Sequence, residues 1–335
     1  MIEMTLDKLP RKVLARIDLQ TAFMVSQCVL VAENIGLFRI LEDKSLTLSV
    51  IRRKTGIRSW KLESFLAVLG VLGLVVRRGD TYNNSRLASK YYVKERPIEW
   101  TRFYSETCFL DYADYSVLKE TLLTGKSNIE LLGIKREGYV EYMRRDKHAA
   151  HDFTRMLYHD HLRDAELLSK NLDLTGYNNI LDLGGGSGVM SIALVRKYKF
   201  VKACVLDIEP VIKVTKKIIK EHGLTKRITT LAGDMHKHIP EGYDVIMLCD
   251  ADSSKDTLKN VYQSLDTGGM VVIVDNFSSE DLTKPLFRLL WQLRSNSPWL
   301  MTLKQAKEQL QEAGFRSIRQ KKLYGCTWML TGLKR

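Results

Sequence analysis

The run Ile180-Leu181-Asp182-Leu183-Gly184-Gly185-Gly186-Ser187-Gly188-Val189-Met190-Ser191-Ile192-Ala193-Leu194 limits what this chain can become more than any other stretch. It reads as a short apolar strand, a glycine loop and the opening of an amphipathic helix, the order that a nucleotide site at the edge of a parallel sheet requires. A side chain at Gly184, Gly186 or Gly188 would hold the backbone away from a ligand or block a positive φ. Ser187 can offer a hydroxyl there. The loop runs G-x-G-x-G and lacks the dinucleotide spacing G-x-G-x-x-G, so taken alone it fits either a nucleotide loop or a tight turn.

The residues that follow favour the first. Lys202 to Leu206 reads as a second strand ending at Asp207, roughly 20 residues past the last loop glycine, where an acid can accept hydrogen bonds from both ribose hydroxyls. Val211 to His222 reads as a helix, and Ile228 to Ala232 as a third strand ending in Gly233-Asp234-Met235. A carboxylate there suits an adenine amino group, and a methionine suits its ring face. Tyr243 to Cys249 reads as a fourth strand, Thr257 to Leu265 as a helix, and Gly268-Gly269 turns into a fifth strand, Met270 to Asp275. Strands alternating with helices, with ligating groups at the carboxyl ends, is doubly wound logic.

From about Asp18 to the C-terminus the chain resembles the class I S-adenosylmethionine (SAM) dependent methyltransferases, in the branch of the caffeic acid and hydroxyindole O-methyltransferases. The resemblance rests on LDLGGGSG, LDIEP, AGDM and GGMVVIVDN. It implies an α/β fold, a Rossmann-like doubly wound sheet whose last strand pair is antiparallel, behind a mostly helical winged-helix domain. It implies donor contacts from Asp182, Gly184, Gly185, Gly186, Gly188, Asp207, Ile208, Gly233, Asp234, Met235 and Cys249. Gly184 and its neighbours would face the methionine part, Asp207 the ribose, and Asp234 with Met235 the adenine. The product would be S-adenosylhomocysteine (SAH). An NAD-type Rossmann site is the bland alternative, but no third glycine at dinucleotide spacing supports a pyrophosphate.

A chain of 335 residues, 45% of them hydrophobic, can bury a large core and split into domains. The expected division is a winged-helix dimerisation domain over 1–95, a helical connector over 96–171 and the SAM domain over 172–335. Cys28, Cys108, Cys204, Cys249 and Cys326 have neither metal nor disulfide spacing, which points to a reducing interior. No signal pattern opens the chain, and the longest apolar run, Ala22 to Ala32, is too short to span a bilayer. A cytoplasmic protein with no membrane partner is expected. The net charge of +13 could attract polyanions, but its tightest groups, such as Arg52-Arg53-Lys54 and Lys321-Lys322, are short and read as solvated surface.

In the N-terminal part, Leu14 to Leu41 is a long apolar helical zone broken at Gly36. Ser59 would cap a helix whose inward face is Leu62, Phe65, Leu66 and Leu69. Leu74 to Tyr82 reads as a hairpin turning at Gly79-Asp80. Helix, turn, helix and wing make a winged helix, and Arg52, Arg53, Lys54, Arg58 and Lys61 would suit a phosphate backbone. In the resembled family the same module is a dimerisation platform. The apolar load of Ala22 to Leu41 exceeds what one small domain needs and favours a homodimer over a nucleic-acid partner.

The connector is rich in aromatics, most of which read as core. The resemblance makes it one wall of an acceptor pocket and Leu286 to Met301 the other, with Phe103, Phe109, Met156, Trp291 and Met301 as lining candidates. His148, His151, His159 and His161 could hold a metal or supply a base. However, His159 and His161 would point apart on one helix, and no acid or cysteine sits at a ligand spacing. No metal is expected.

Methyl transfer from a sulfonium is an in-line displacement, so catalysis is mostly placement in a dry pocket. A phenol or alcohol must also lose a proton, for which plant-type relatives use a histidine soon after the fourth strand. Tyr243 to Asp256 contains none. Asp252 or Ser253 occupies that place, depending on a one-residue offset. Three alternatives stand: Asp250 or Asp252 is a base with a raised pKa; a connector histidine such as His159 has taken over; or the acceptor needs no strong base. The expected function is SAM-dependent methylation of a small, aromatic metabolite, on oxygen by resemblance. The alternatives are carbon or nitrogen methylation and, from another class, a winged-helix regulator whose second domain only senses SAM.

Overall fold

The computed structural model describes residues 8–335 except 10, 16, 59, 134–138 and 295–299, and all described side chains but those of 104–110, 139 and 294. The chain forms two compact units, Met1–Ala113 and Asp114–Arg335.

The first unit is built on helices Ala22–Asn34 and Leu37–Leu41, divided at Gly36, whose φ of 68° only glycine adopts freely. Strand β1 (Leu46–Thr47) leads into helix Leu48–Thr55. Helix Leu62–Val71 and the hairpin of β2 (Val75–Arg78) and β3 (Thr81–Asn84) follow, in the order β1-β3-β2, all antiparallel. This is the expected helix, helix and wing. Leu62, Leu66 and Leu69 are buried with Phe38, Leu41 and Ile51, because positions three and four apart share a helix face. The expected cap, Ser59, lies outside the described residues. A buried ion pair, Arg96 to Glu33 at 2.6 Å, ties the helix Ala22–Asn34 to the segment after the wing.

The second unit holds a seven-stranded sheet of β4 (Asn179–Leu183), β5 (Lys202–Asp207), β6 (Ile228–Ala232), β7 (Tyr243–Cys249), β8 (Leu265–Asn276), β9 (Arg316–Tyr324) and β10 (Thr327–Leu333). Their order is β6-β5-β4-β7-β8-β10-β9, with β10 antiparallel to both neighbours and the other pairings parallel. The central strands are nearly continuous apolar runs because both faces are covered. Ile180, Val205, Val245, Met247 and Val272 pack on one face with Leu168, Leu194 and Ile218. Leu181, Leu183, Leu206, Ile246 and Ile273 pack on the other with Leu258 and Leu310. Strand order reverses between β4 and β7, and at such a switch point the loops diverge and leave a crevice. The helix expected from Val211 starts earlier, at Glu209, since Pro210 in the first turn has no amide that needs a partner. No helix among the described residues is long and apolar enough to cross a membrane.

Candidate functional site

Strand β4 runs into the glycine loop at the switch point. Gly184, Gly186 and Gly188 have φ of 69°, 50° and 74°, and Gly188 caps the helix Val189–Lys197. Gly185 is required for a different reason: a Cβ there would lie 2.6 Å from Asp182 Cγ and 2.8 Å from Val205 Cγ1. The loop is bolted to β5 by its amides. Gly184 N and Gly185 N donate to Leu206 O at 2.9 and 3.2 Å, and Gly186 N donates to Asp207 Oδ2 at 2.9 Å. Thr215 Oγ1, on the helix Glu209–Glu221, donates to Gly186 O at 2.5 Å.

Two carboxylates flank this loop. Asp182 is wholly buried, accepts from Ser191 Oγ at 2.6 Å, and is pushed up to about 6 by burial. Burial also raises Asp207, against the hydrogen bonds from Ile208 N and Gly186 N. Each Asp207 oxygen accepts one backbone hydrogen and keeps a lone pair.

Strand ends converge on the loop from both sides. A Cβ on Gly184 would lie 3.1 Å from Ala251 Cβ, just past β7, and 3.4 Å from Met235 Sδ, just past β6. A Cβ on Gly186 would lie 3.8 Å from Leu157 Cδ1, on the helix Lys147–Asp160. Asp234 accepts from His236 N at 3.0 Å and lies 3.8 Å from Lys237 Nζ. Gly233 N donates to Asp207 O at 2.9 Å. Cys249, the last residue of β7, is buried, and burial raises its thiol far above its usual range.

Past β7 the chain turns at Asp250, which has a φ of 51°, a left-handed conformation that Asp tolerates better than most residues. Its amide donates to Val274 O at 2.9 Å. Its carboxylate lies 3.5 Å from His161 Nε2, and that imidazole holds it below the usual carboxylate range. Burial opposes charge on His161, yet Asp250, with Asp164 and Asp160, outweighs it and raises the imidazole pKa. One strand over, Asp275 pairs with the buried Arg288, and burial pushes it up to about 6. Asp252 is engaged differently. It accepts from Ser254 Oγ at 2.8 Å and from Thr257 Oγ1, at the start of the helix Lys255–Ser264.

The model of the O-methyltransferase domain family matches residues 115–316, nearly the span of the second unit. The chain belongs to that family. It is a SAM-dependent methyltransferase. The methyltransferase is 28% identical to the L-tyrosine C(3)-methyltransferase of Streptomyces lavendulae over 77% of this chain and 73% of that one. It is 25% identical to the 3-hydroxy-5-methyl-1-naphthoate 3-O-methyltransferase of Streptomyces sahachiroi, over 80% and 79%. The fold matches the structure of PigF with SAH at a TM-score of 0.83 and 18% identity, covering 94% and 97% of the two chains.

The carboxyl ends of the strands in the methyltransferase are rich in acids. SAM supplies an electrophilic methyl group on a cationic sulfur. Asp182, Asp207, Asp250 and Asp275 sit on or just past the ends of β4, β5, β7 and β8, an acidic rim in a chain of net charge +13. Two of the four are paired with cations, Asp250 with His161 and Asp275 with Arg288, which leaves Asp182 and Asp207 beside the glycine loop.

The four connector histidines do not gather. His148 is exposed, His151 pairs with Asp152 at 2.9 Å, His159 lies edge-on to Tyr158 with ring centres 5.4 Å apart, and His161 faces Asp250. Of the acceptor candidates, Met156 is buried on the helix that also carries Leu157, and Met301 is partly buried against the core below β8. Trp291 is 40% exposed and stacks edge-on with Phe287. Phe103 is half-buried in the first unit, and the Phe109 side chain lies outside the described residues. Leu157, Ala251, Asp275 and Arg288 were not singled out by sequence reasoning as site residues, and His161 was named only as one of four connector histidines that could supply a base. Nothing local marks them; each acquires its place through an element far away in the chain.

Proposed function

We propose that the enzyme methylates a hydroxyl group on a small aromatic metabolite. The observation that carries this reading is the convergence of Met235 and Ala251 on the space beside Gly184 at the switch point, so close that a Cβ on Gly184 would be crowded by both. The ends of β4, β6 and β7 thereby form one cradle. In it the backbone of Gly184 to Gly186 faces the methionine part of SAM, Asp207 the ribose, and Asp234 and Met235 the adenine. Asp182, Gly188, Ile208, Gly233 and Cys249 support the same group. Met156, Trp291 and Met301 contribute apolar surface to the acceptor. The two curated relatives act on a tyrosine and a hydroxynaphthoate, both aromatic rings that bear a hydroxyl.

A second reading has one specific support: the first of those relatives is a C(3)-methyltransferase. Loss of a phenolic proton makes the ring carbon beside the oxygen nucleophilic as well, so the same site could direct the methyl group to carbon. Calorimetry with SAM and SAH, followed by transfer assays with labelled SAM and a panel of phenols and hydroxynaphthoates, tests both. Absence of SAM binding would end the proposal. The methylated atom, read from the product's NMR spectrum, decides between oxygen and carbon.

We also propose that the enzyme is cytoplasmic and a homodimer. Cys28, Cys204, Cys249 and Cys326 are free, as a reducing compartment keeps them. Leu19, Phe23, Met24, Trp60 and Val71 are exposed apolar side chains on the first unit, and a second copy would cover them. The division of labour follows: residues 1–95 for pairing, 96–171 for the acceptor wall and 172–335 for the donor.

A further inference from the structure

We propose that His161 is the general base of this methyltransferase and that Asp250 is the residue that positions it. The inference rests on the reading that the acceptor is a phenol.

The geometry begins with what surrounds the glycine loop. Leu157, one helical turn before His161, is the nearest side chain to the Gly186 position. Ala251, the next residue after Asp250, is the nearest to the Gly184 position. His161 and Asp250 are therefore carried near the loop by different elements, one by the junction of helices Lys147–Asp160 and Leu162–Asn171, the other by the end of β7. They meet at 3.5 Å, an ion-pair separation. The left-handed turn at Asp250, secured by Val274 O, is what presents its carboxylate there. Such a backbone conformation at a non-glycine residue is strained and persists where the surroundings enforce it.

The competing candidates are otherwise employed. Asp252 is spent on the hydroxyls of Ser254 and Thr257, and His159 is turned edge-on to Tyr158. Seen from His161, the charged neighbours are Asp250 past β7 and Asp160 and Asp164 on its own helix pair. Asp250 in turn is faced by Arg288, on the helix Leu286–Arg294, and by Asp275 at the end of β8. A carboxylate on Nε2 fixes the tautomer that leaves Nδ1 with its lone pair and stabilises the imidazolium formed when a proton arrives. In the reaction, the acceptor's O–H bond breaks as its proton passes to Nδ1. The oxygen's electron pair, or that of the adjacent ring carbon, makes the new bond to the methyl carbon, and the C–S pair remains on sulfur. When carbon attacks, the hydrogen it carried is then lost as the ring regains aromaticity, to solvent water.

The full-length enzyme and its His161→Gln and Asp250→Asn variants test this, with a phenol accepted by the wild type as probe. His161→Gln should lower kcat at least about 100-fold, the usual contribution of a general base, while SAM affinity by calorimetry stays within threefold. The wild-type rate should rise with pH through an inflection above the ordinary histidine value of 6.5. In Asp250→Asn that inflection should move down, and so should the His161 titration followed by NMR without any acceptor. A His161→Gln variant within threefold of the wild-type rate, or one that loses SAM binding in parallel with activity, would overturn the base assignment. An unmoved His161 titration in Asp250→Asn would overturn the positioning role. If the wild type binds SAM yet methylates no phenol, the reading of the acceptor fails, and the pair is then judged on the titration alone.

Discussion

Gly185 and Asp182 are two residues of the loop whose constraints come from packing as much as from ligand. Replacing Gly185 with Ala would drive a methyl group into Asp182 and Val205 at 2.6 and 2.8 Å. A loss of about 1–3 kcal/mol in denaturant unfolding is expected, as for other overpacked sites, together with at least tenfold weaker SAM binding by calorimetry. Asp182 carries a pH signature. Its folded pKa of about 6 stands above the ordinary 3.8, so the folded chain keeps a proton that the unfolded chain has already lost. The stability this provides is complete below about pH 4 and is lost as pH rises through 6. Relative to Asp182→Asn, the wild type should lose roughly 2 kcal/mol between pH 4 and 7, measured by denaturant titration without SAM. A difference that stays constant or grows with pH would contradict the burial argument.

Among elements, the parallel strands were the most legible part of the sequence. Lys202–Asp207 and Tyr243–Cys249 lie where their apolar runs put them, because a strand buried on both faces advertises itself without reference to its neighbours. The wing was equally plain from Gly79-Asp80. What the sequence did not reveal is which side chain faces which across elements. His161 stood among four histidines with nothing local to separate it from His159, since its distinguishing partner is fixed only when β7 ends beside the connector helices. Asp252 illustrates the converse. Its spacing invited a catalytic role, but an Asp followed by Ser254 and Thr257 also closes off a helix start. Asp252→Ala should therefore cost about 1 kcal/mol of stability while leaving kcat within tenfold of wild type, a split that stopped-flow or steady-state rates and thermal unfolding read together.

For the whole molecule, the proposed pairing of two copies makes a concentration-dependent prediction. Phe23 and Met24 are 43% and 55% exposed on the helix Ala22–Asn34. A Phe23→Asp, Met24→Asp double variant should run at half the wild-type mass in light scattering while its isolated-chain circular dichroism is unchanged, because charge on an apolar interface is not repaid by any partner. A wild type that is already monomeric at micromolar concentration would remove the proposal.

The hydrogen bonds that the amides of Gly184, Gly185, Gly186 and Gly233 donate to β5 have one more implication. With its donors already committed to Leu206 and Asp207, the loop is assembled before any nucleotide arrives. These amides should resist deuterium exchange in the ligand-free enzyme nearly as well as those of the central strands, and adding SAM should slow them little further. Association with the donor would then resemble docking into a finished mould, with little folding of the loop to accompany it.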